Sequence, residues 1–179
     1  MAEAFINQVN RAVGIVTSSS NASIGIGLTW MSGISTAHVA IHDIVDNANF
    51  IAGTKVTQVG VSSVQLDRAS TNTVAATASN VSFLGPTTSY SSASATKSIL
   101  IGGTFANNTA NSVNLTVTVY DNTAAVESQL ASKIPVPTGS SFVISDAGKT
   151  VLEGNDEVRV YCDTENAIDV NLSILKGVS

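Results

Sequence analysis

The chain has 179 residues, of which 44% are hydrophobic, 12% charged and 5% aromatic, and it carries a formal net charge of −5. The charged share is about half that of ordinary soluble domains, and with no Lys/Arg run to form a basic face the sequence argues against a nucleic-acid surface. Much of the surface must therefore be uncharged Ser, Thr and Asn or apolar, which suits a protein packed among neighbours better than a free-floating enzyme.

Residues 1–22 read as an N-terminal arm or a short first strand. Phe5, Ile6, Val9, Val13 and Val16 also fit one face of a helix, weakened by Gly14, Val16 and Thr17, so a helix stays open. No basic stretch followed by an apolar core marks a secretory signal, and runs such as Ile99-Leu100-Ile101 are too short to cross a membrane. The expectation is synthesis in the cytoplasm with no membrane partner. The Asn-x-Ser/Thr triplets at Asn21, Asn80, Asn107, Asn114 and Asn171 then follow from composition and are not glycosylation sites.

Residues 23–85 read as a first β module. Ile24, Ile26 and Leu28 alternate with Gly25, Gly27 and Thr29, and further strand candidates cover residues 37–45, 50–56, 64–66 and 74–83. Asp46-Asn47-Ala48-Asn49 is turn chemistry. Residues 86–95, Pro-Thr-Thr-Ser-Tyr-Ser-Ser-Ala-Ser-Ala, lack large aliphatics and read as a linker. Residues 96–179 read as a second module with clearer alternation. Val113, Leu115, Val117 and Val119 interleave with Asn114, Thr116, Thr118 and Tyr120, and Ile168, Val170, Leu172 and Ile174 with Asp169, Asn171 and Ser173. Strands are expected at 98–105, 112–120, 128–135, 141–144, 158–162 and 168–175, separated by turn-rich breaks. The fold class expected is all-β: two small antiparallel β-sandwich-like modules with an N-terminal arm.

Chemistry is sparse. His38 and His42, the only histidines, are four residues apart, but no third ligand is in place and no Glu lies between them. Glu153, Asp156, Glu157, Asp163, Glu165 and Asp169 form a loose acidic cluster whose spacing matches no calcium loop. A glycosidase reading of these carboxylates lacks the stacking aromatics of a sugar cleft. Cys162, the single cysteine, lies in a strand-like run and reads as a buried thiol. No Gly-x-Ser-x-Gly elbow or phosphate-binding glycine loop is present. No catalytic, cofactor-binding or metal-binding residue is assigned. Trp30 and Met31 read either as an anchor into a neighbour or as core of the first module. Interface candidates are Phe5, Ile6, Val9, Val13, Trp30 and Met31.

Over its last 80 or so residues the sequence resembles a family of small β-sandwich virion proteins of tailed bacteriophages, including marine cyanophages. The resemblance rests on Ile134-Pro135-Val136-Pro137-Thr138-Gly139-Ser140-Ser141, on Val151-Leu152-Glu153-Gly154-Asn155-Asp156-Glu157-Val158-Arg159-Val160, and on Ile168-Asp169-Val170-Asn171-Leu172-Ser173-Ile174-Leu175. Asn155, between Gly154 and Asp156, departs from the pattern and lengthens that turn. Phe50-Ile51-Ala52-Gly53-Thr54-Lys55-Val56, Val64-Gln65-Leu66 and Val81-Ser82-Phe83 are similar to a short β module of phage tail and surface proteins. The resemblance implies a non-enzymatic virion protein of the neck, head–tail junction or tail region. The partners it implies are copies of the chain itself and other virion proteins (portal or neck, tail or capsid). A capsid decoration protein, or a receptor- or glycan-binding module of a tail appendage, is the alternative.

Overall fold

The computed structural model describes residues 3–73, 80–145 and 149–178. Among them lie the strands β1 (Ala4–Val13), β2 (Ile15–Ser19), β3 (Trp30–Ser32), β4 (Ile44–Asp46), β5 (Val56–Val59), β6 (Ser63–Leu66), β7 (Val81–Gly85), β8 (Thr87–Ser91), β9 (Lys97–Asn107), β10 (Val113–Asp121), β11 (Val126–Val136), β12 (Ser141–Ile144), β13 (Thr150–Leu152), β14 (Glu157–Cys162) and β15 (Ile168–Val178), and no helix. The protein is all-β, and every pairing between these strands is antiparallel. The chain divides into two units, one made of Met1–Gly14 with Thr87–Ser179, the other of Ile15–Pro86.

The larger unit is a sandwich. One sheet runs β1-β15-β9-β12, with β13 also on β9, and the other runs β11-β10-β14-β8. Alternation sets what each strand buries. Val113, Leu115, Val117 and Val119 of β10 meet Val158, Val160 and Cys162 of β14 and Ile168, Val170, Leu172 and Ile174 of β15 in one apolar core with Leu100 and Phe105. Each fully buried aliphatic there contributes about 1.5–3 kcal/mol.

Of the readings of residues 1–22, the first strand is found and the separate arm is not: β1 is the edge strand of the first sheet, in regular register with β15 from Ala4↔Lys176 to Asn10↔Val170. A strand places Ile6 against the core and Phe5 outside, two residues that a helical face would have kept together. Nor is 86–95 wholly a linker, because Thr87–Ser91 is β8, paired with β14. It needs no large aliphatics, since hydroxyls fill the interior at this edge. Tyr90 Oη and Ser98 Oγ share a 2.8 Å hydrogen bond, and Ser92 Oγ lies 3.0 Å from the same Ser98 Oγ.

The chain leaves this unit through Gly14, whose φ is +136°. Its carbonyl accepts the Asn166 N–H (3.1 Å), and a Cβ there would lie 2.1 Å from the Thr164 carbonyl oxygen, so only glycine fits.

The smaller unit holds two three-stranded sheets, β2-β7-β4 and β3-β6-β5. Its core gathers Ile24, Met31, Val45, Phe50, Val56, Val64, Leu66, Val81 and Phe83. The strands are short, and turns carry much of the chain. Residues 25–28 form a turn closed by Leu28 N–H to Gly25 C=O, not the strand that their alternation suggests. Of residues 37–45 only the end is strand, β4. His38 (φ 65°) and His42 (φ 79°) sit in two consecutive turns. Of residues 50–56 only Val56 is strand, at the start of β5. The expected strand at 74–83 survives as β7, and residues 74–79 lie outside the described residues.

Candidate functional site

The larger unit contains one dense polar cluster, on the face of β10 and β14 turned away from the apolar core. Arg159 Nε donates to Glu157 Oε2 (2.7 Å) and its Nη1 to Glu127 Oε2 (3.3 Å). Tyr161 Oη donates to Glu127 Oε1 (2.8 Å), which the Thr118 hydroxyl also reaches, and the guanidinium lies 3.9 Å over the Tyr120 ring. Burial by itself lowers the Arg159 pKa, but the hydrogen bond to Glu157 and the charges of Glu157 and Glu127 outweigh it and hold the pKa above its ordinary value. Burial, with Glu127 adding to it, raises that of Tyr161. The groups of this cluster are engaged with one another, an arrangement suited to fixing strand register rather than to chemistry.

The acidic residues of the C-terminal third fasten turns. Asp156 accepts the N–H groups of Glu153 (2.9 Å) and Asn122 (3.0 Å), and Asp163 accepts from Asn114 N–H (2.9 Å) and Nδ2 (2.7 Å). Asp169 accepts the Ala12 N–H (2.8 Å), and Glu153 pairs with Lys97 across a shallow hollow bordered by Ser94 and Val178. No group of three or more His, Cys, Asp and Glu residues is placed to hold a metal among the described residues. Cys162 is buried in the core, and burial pushes its thiol up to about 11, away from thiolate chemistry.

The six interface candidates divide by face. Val13 (2% exposed) and Met31 (0%) are core residues, and Ile6 packs on the core of the larger unit. These three are not available to a neighbour: alternation turns Ile6 and Met31 inward, and the bulge between Asn10 and Val13 does the same for Val13. Phe5 (76%), Val9 (58%) and Trp30 (49%) are exposed. Phe5 belongs to a feature the sequence did not single out. The register sets Phe5 beside Leu175, Leu175 beside Ile99, and Ile99 beside Val151, one apolar residue from each of β1, β15, β9 and β13 on the outward face. Leu175 and Ile99 are half-buried and Val151 is 52% exposed. Two rows along, Val9 pairs with Asn171, Asn171 with Thr104, and Thr104 with the exposed Val143. The sequence signal was present: Ile99 and Leu175 are apolar at positions where the alternation calls for polar residues.

The same sheet has an open edge. β1 pairs with β15 on one side, and among the described residues no strand pairs with its other side. From Ala4 to Asn10 its register is unbroken; the bulge comes only between Asn10 and Val13. No protein-family model, curated protein or solved structure matches the chain.

Proposed function

We propose that the chain is a non-enzymatic structural protein of a tailed-bacteriophage virion, assembling with copies of itself and with other virion proteins in the neck, head–tail junction or tail region. The observation that carries the assembly part is the sheet of the larger unit, which joins an apolar outward row to a strand edge with unsatisfied pairing capacity. Exposed apolar surface rimmed by polar residues is a mark of protein–protein contact, and an open edge is a template for further pairing. The virion assignment is supported by the sequence resemblance and by the low charge, which suits a subunit surrounded by others.

Light scattering on the purified full chain over a range of concentrations tests the assembly. A defined oligomer is expected, and a strict monomer at every concentration overturns self-assembly. Peptide mapping of purified tailed particles carrying this gene tests the location. The chain is expected at fixed copy number per particle, and particles that lack it overturn the virion assignment.

A further inference from the structure

The larger unit exposes several strand edges, and they are not equivalent. β11 is long but guarded. Its register with β10 shifts twice, Lys133 adopts a positive φ of 47°, and Pro135 removes a donor. β8 is five residues long with a register shift, and β12 and β13 have four and three residues. Only β1 combines length, an unbroken register from Ala4 to Asn10 and freedom from proline.

Its sequence, Glu3-Ala4-Phe5-Ile6-Asn7-Gln8-Val9-Asn10-Arg11, is complementary to itself when a second copy runs antiparallel. Centred on Asn7, the pairing sets Phe5 against Val9 of the second copy and Glu3 against Arg11, each pair occurring twice by symmetry. All of these side chains are exposed; Phe5, Asn7 and Val9 share the outward face within the unbroken register, Glu3 stands just before the strand and Arg11 at the start of its bulge. Same-face pairing allows only alternate registers. Moving the centre to Ile6 sets Glu3 against Val9 and Phe5 against Asn7, and moving it to Gln8 sets Phe5 against Arg11. The Asn7 register matches charge with charge and apolar with apolar, and cross-strand pairs of either kind stabilise antiparallel strands.

We infer that β1 pairs with β1 of a second copy of this chain, antiparallel about Asn7, joining the two sandwiches through one continuous sheet. The partner is fixed by the charge complementarity of Glu3 with Arg11 and by the matching of the two exposed apolar residues. The contact is isologous, so larger assemblies built on it have an even number of subunits. The apolar row Val151–Ile99–Leu175–Phe5 of each copy is prolonged by Val9 of the other. This inference rests on the self-assembly proposed above and names its surface.

The test uses the full chain. Asn7→Cys places two thiols opposite each other on the two-fold axis, and mild oxidation is expected to give a covalent dimer on a non-reducing gel. Phe5→Cys, displaced from the axis, is expected to give little. Glu3→Arg alone and Arg11→Glu alone set like charges in register and are expected to weaken association roughly tenfold each at low salt. The double variant Glu3→Arg/Arg11→Glu is expected to restore it. Val9→Lys, at an exposed position that folding tolerates, is expected to abolish the pairing with an unchanged circular dichroism melt. A wild-type oligomer whose mass and affinity survive Val9→Lys and both charge reversals, with no Asn7→Cys cross-link, overturns the edge pairing and leaves self-assembly standing. A wild-type monomer at all concentrations overturns both.

Discussion

The two units solve the same problem, burying the apolar residues of a sparsely charged chain, by different means. The larger unit uses long strands: β1, β9, β10, β11 and β15 have nine to eleven residues each, and the Arg159 cluster ties β11, β10 and β14 together across one of its two sheets. The smaller unit has strands of three to five residues, and side chains tie its turns to the backbone. Ser70 Oγ donates to Gly25 C=O (2.6 Å), Thr54 Oγ1 to Ile51 C=O (2.7 Å), and Asp67 Oδ1 accepts the Lys55 N–H (2.8 Å). Long sheets concentrate stability in a few packed layers, whereas short ones spread it over many local bonds worth about 1 kcal/mol each. The molecule carries a reporter for each unit: Trp30, its single tryptophan, in the smaller one, and Cys162, its single cysteine, in the larger one.

The sharpest break in this comparison comes from Arg159→Ala, which takes the guanidinium away from the buried Glu127 carboxylate and from Glu157. A loss of about 3–5 kcal/mol is expected in urea titrations followed by Cys162 labelling. Because the folded thiol is buried and protonated at neutral pH, modification should track opening of the larger unit. The next effect is at the crossing between units. Gly14→Ala forces a side chain into the Thr164 carbonyl at a backbone angle suited to glycine, and a loss of at least 1–3 kcal/mol by the same measurement is expected on the order of other strained sites. Ser70→Ala then probes the smaller unit. It removes the buried Ser70 hydroxyl that donates to the Gly25 turn, and a loss of about 1 kcal/mol is expected in the Trp30 fluorescence transition. A Ser70→Ala effect as large as that of Arg159→Ala would erase the distinction between concentrated and distributed stability.

How far the sequence foretold this differs between the units for the same reason. In the larger one, period-two patterning is long enough to be unambiguous, and strands expected at 98–105, 112–120, 141–144 and 168–175 are found within a few residues of those bounds. It failed at β8, where the buried Ser89 and the hydroxyl-bonded Tyr90 and Ser92 stand in place of aliphatics, and it left β1 open between arm, first strand and helix, because odd and even apolar residues there imitate a helix. In the smaller unit, Ile24, Ile26 and Leu28 alternate as in a strand. Ser70 instead holds Gly25–Leu28 as a turn, a contact forty-five residues away that no local pattern encodes. Of the candidate interface, Phe5, Val9 and Trp30 were legible as exposed apolar residues only once their face was known. Leu175, Ile99 and Val151 required the register.

The smallest expected effect tests whether local bonds in the smaller unit come at an electrostatic cost. Asp43 is buried, and burial raises its pKa above the ordinary 3.8, opposed in part by the Ala40 N–H that its Oδ2 accepts at 2.9 Å. A carboxyl with a raised folded pKa holds its proton in the folded state after the unfolded chain has released it. Through that window the unfolded state binds fewer protons, so stability falls as pH rises from about 3.8 through the folded pKa and levels off above it. The charge of the Asp43 carboxylate is therefore a burden at neutral pH, set against the hydrogen bond by which it fastens the turn at residues 40–43. Asp43→Asn retains an acceptor for the Ala40 N–H without the charge. Trp30-monitored stability at pH 7 is expected to equal or slightly exceed wild type, and the decline as pH rises above 3.8 is expected to flatten. A variant that is less stable at pH 7 with its pH profile unchanged would mean that the charge itself, and not the acceptor, holds the turn.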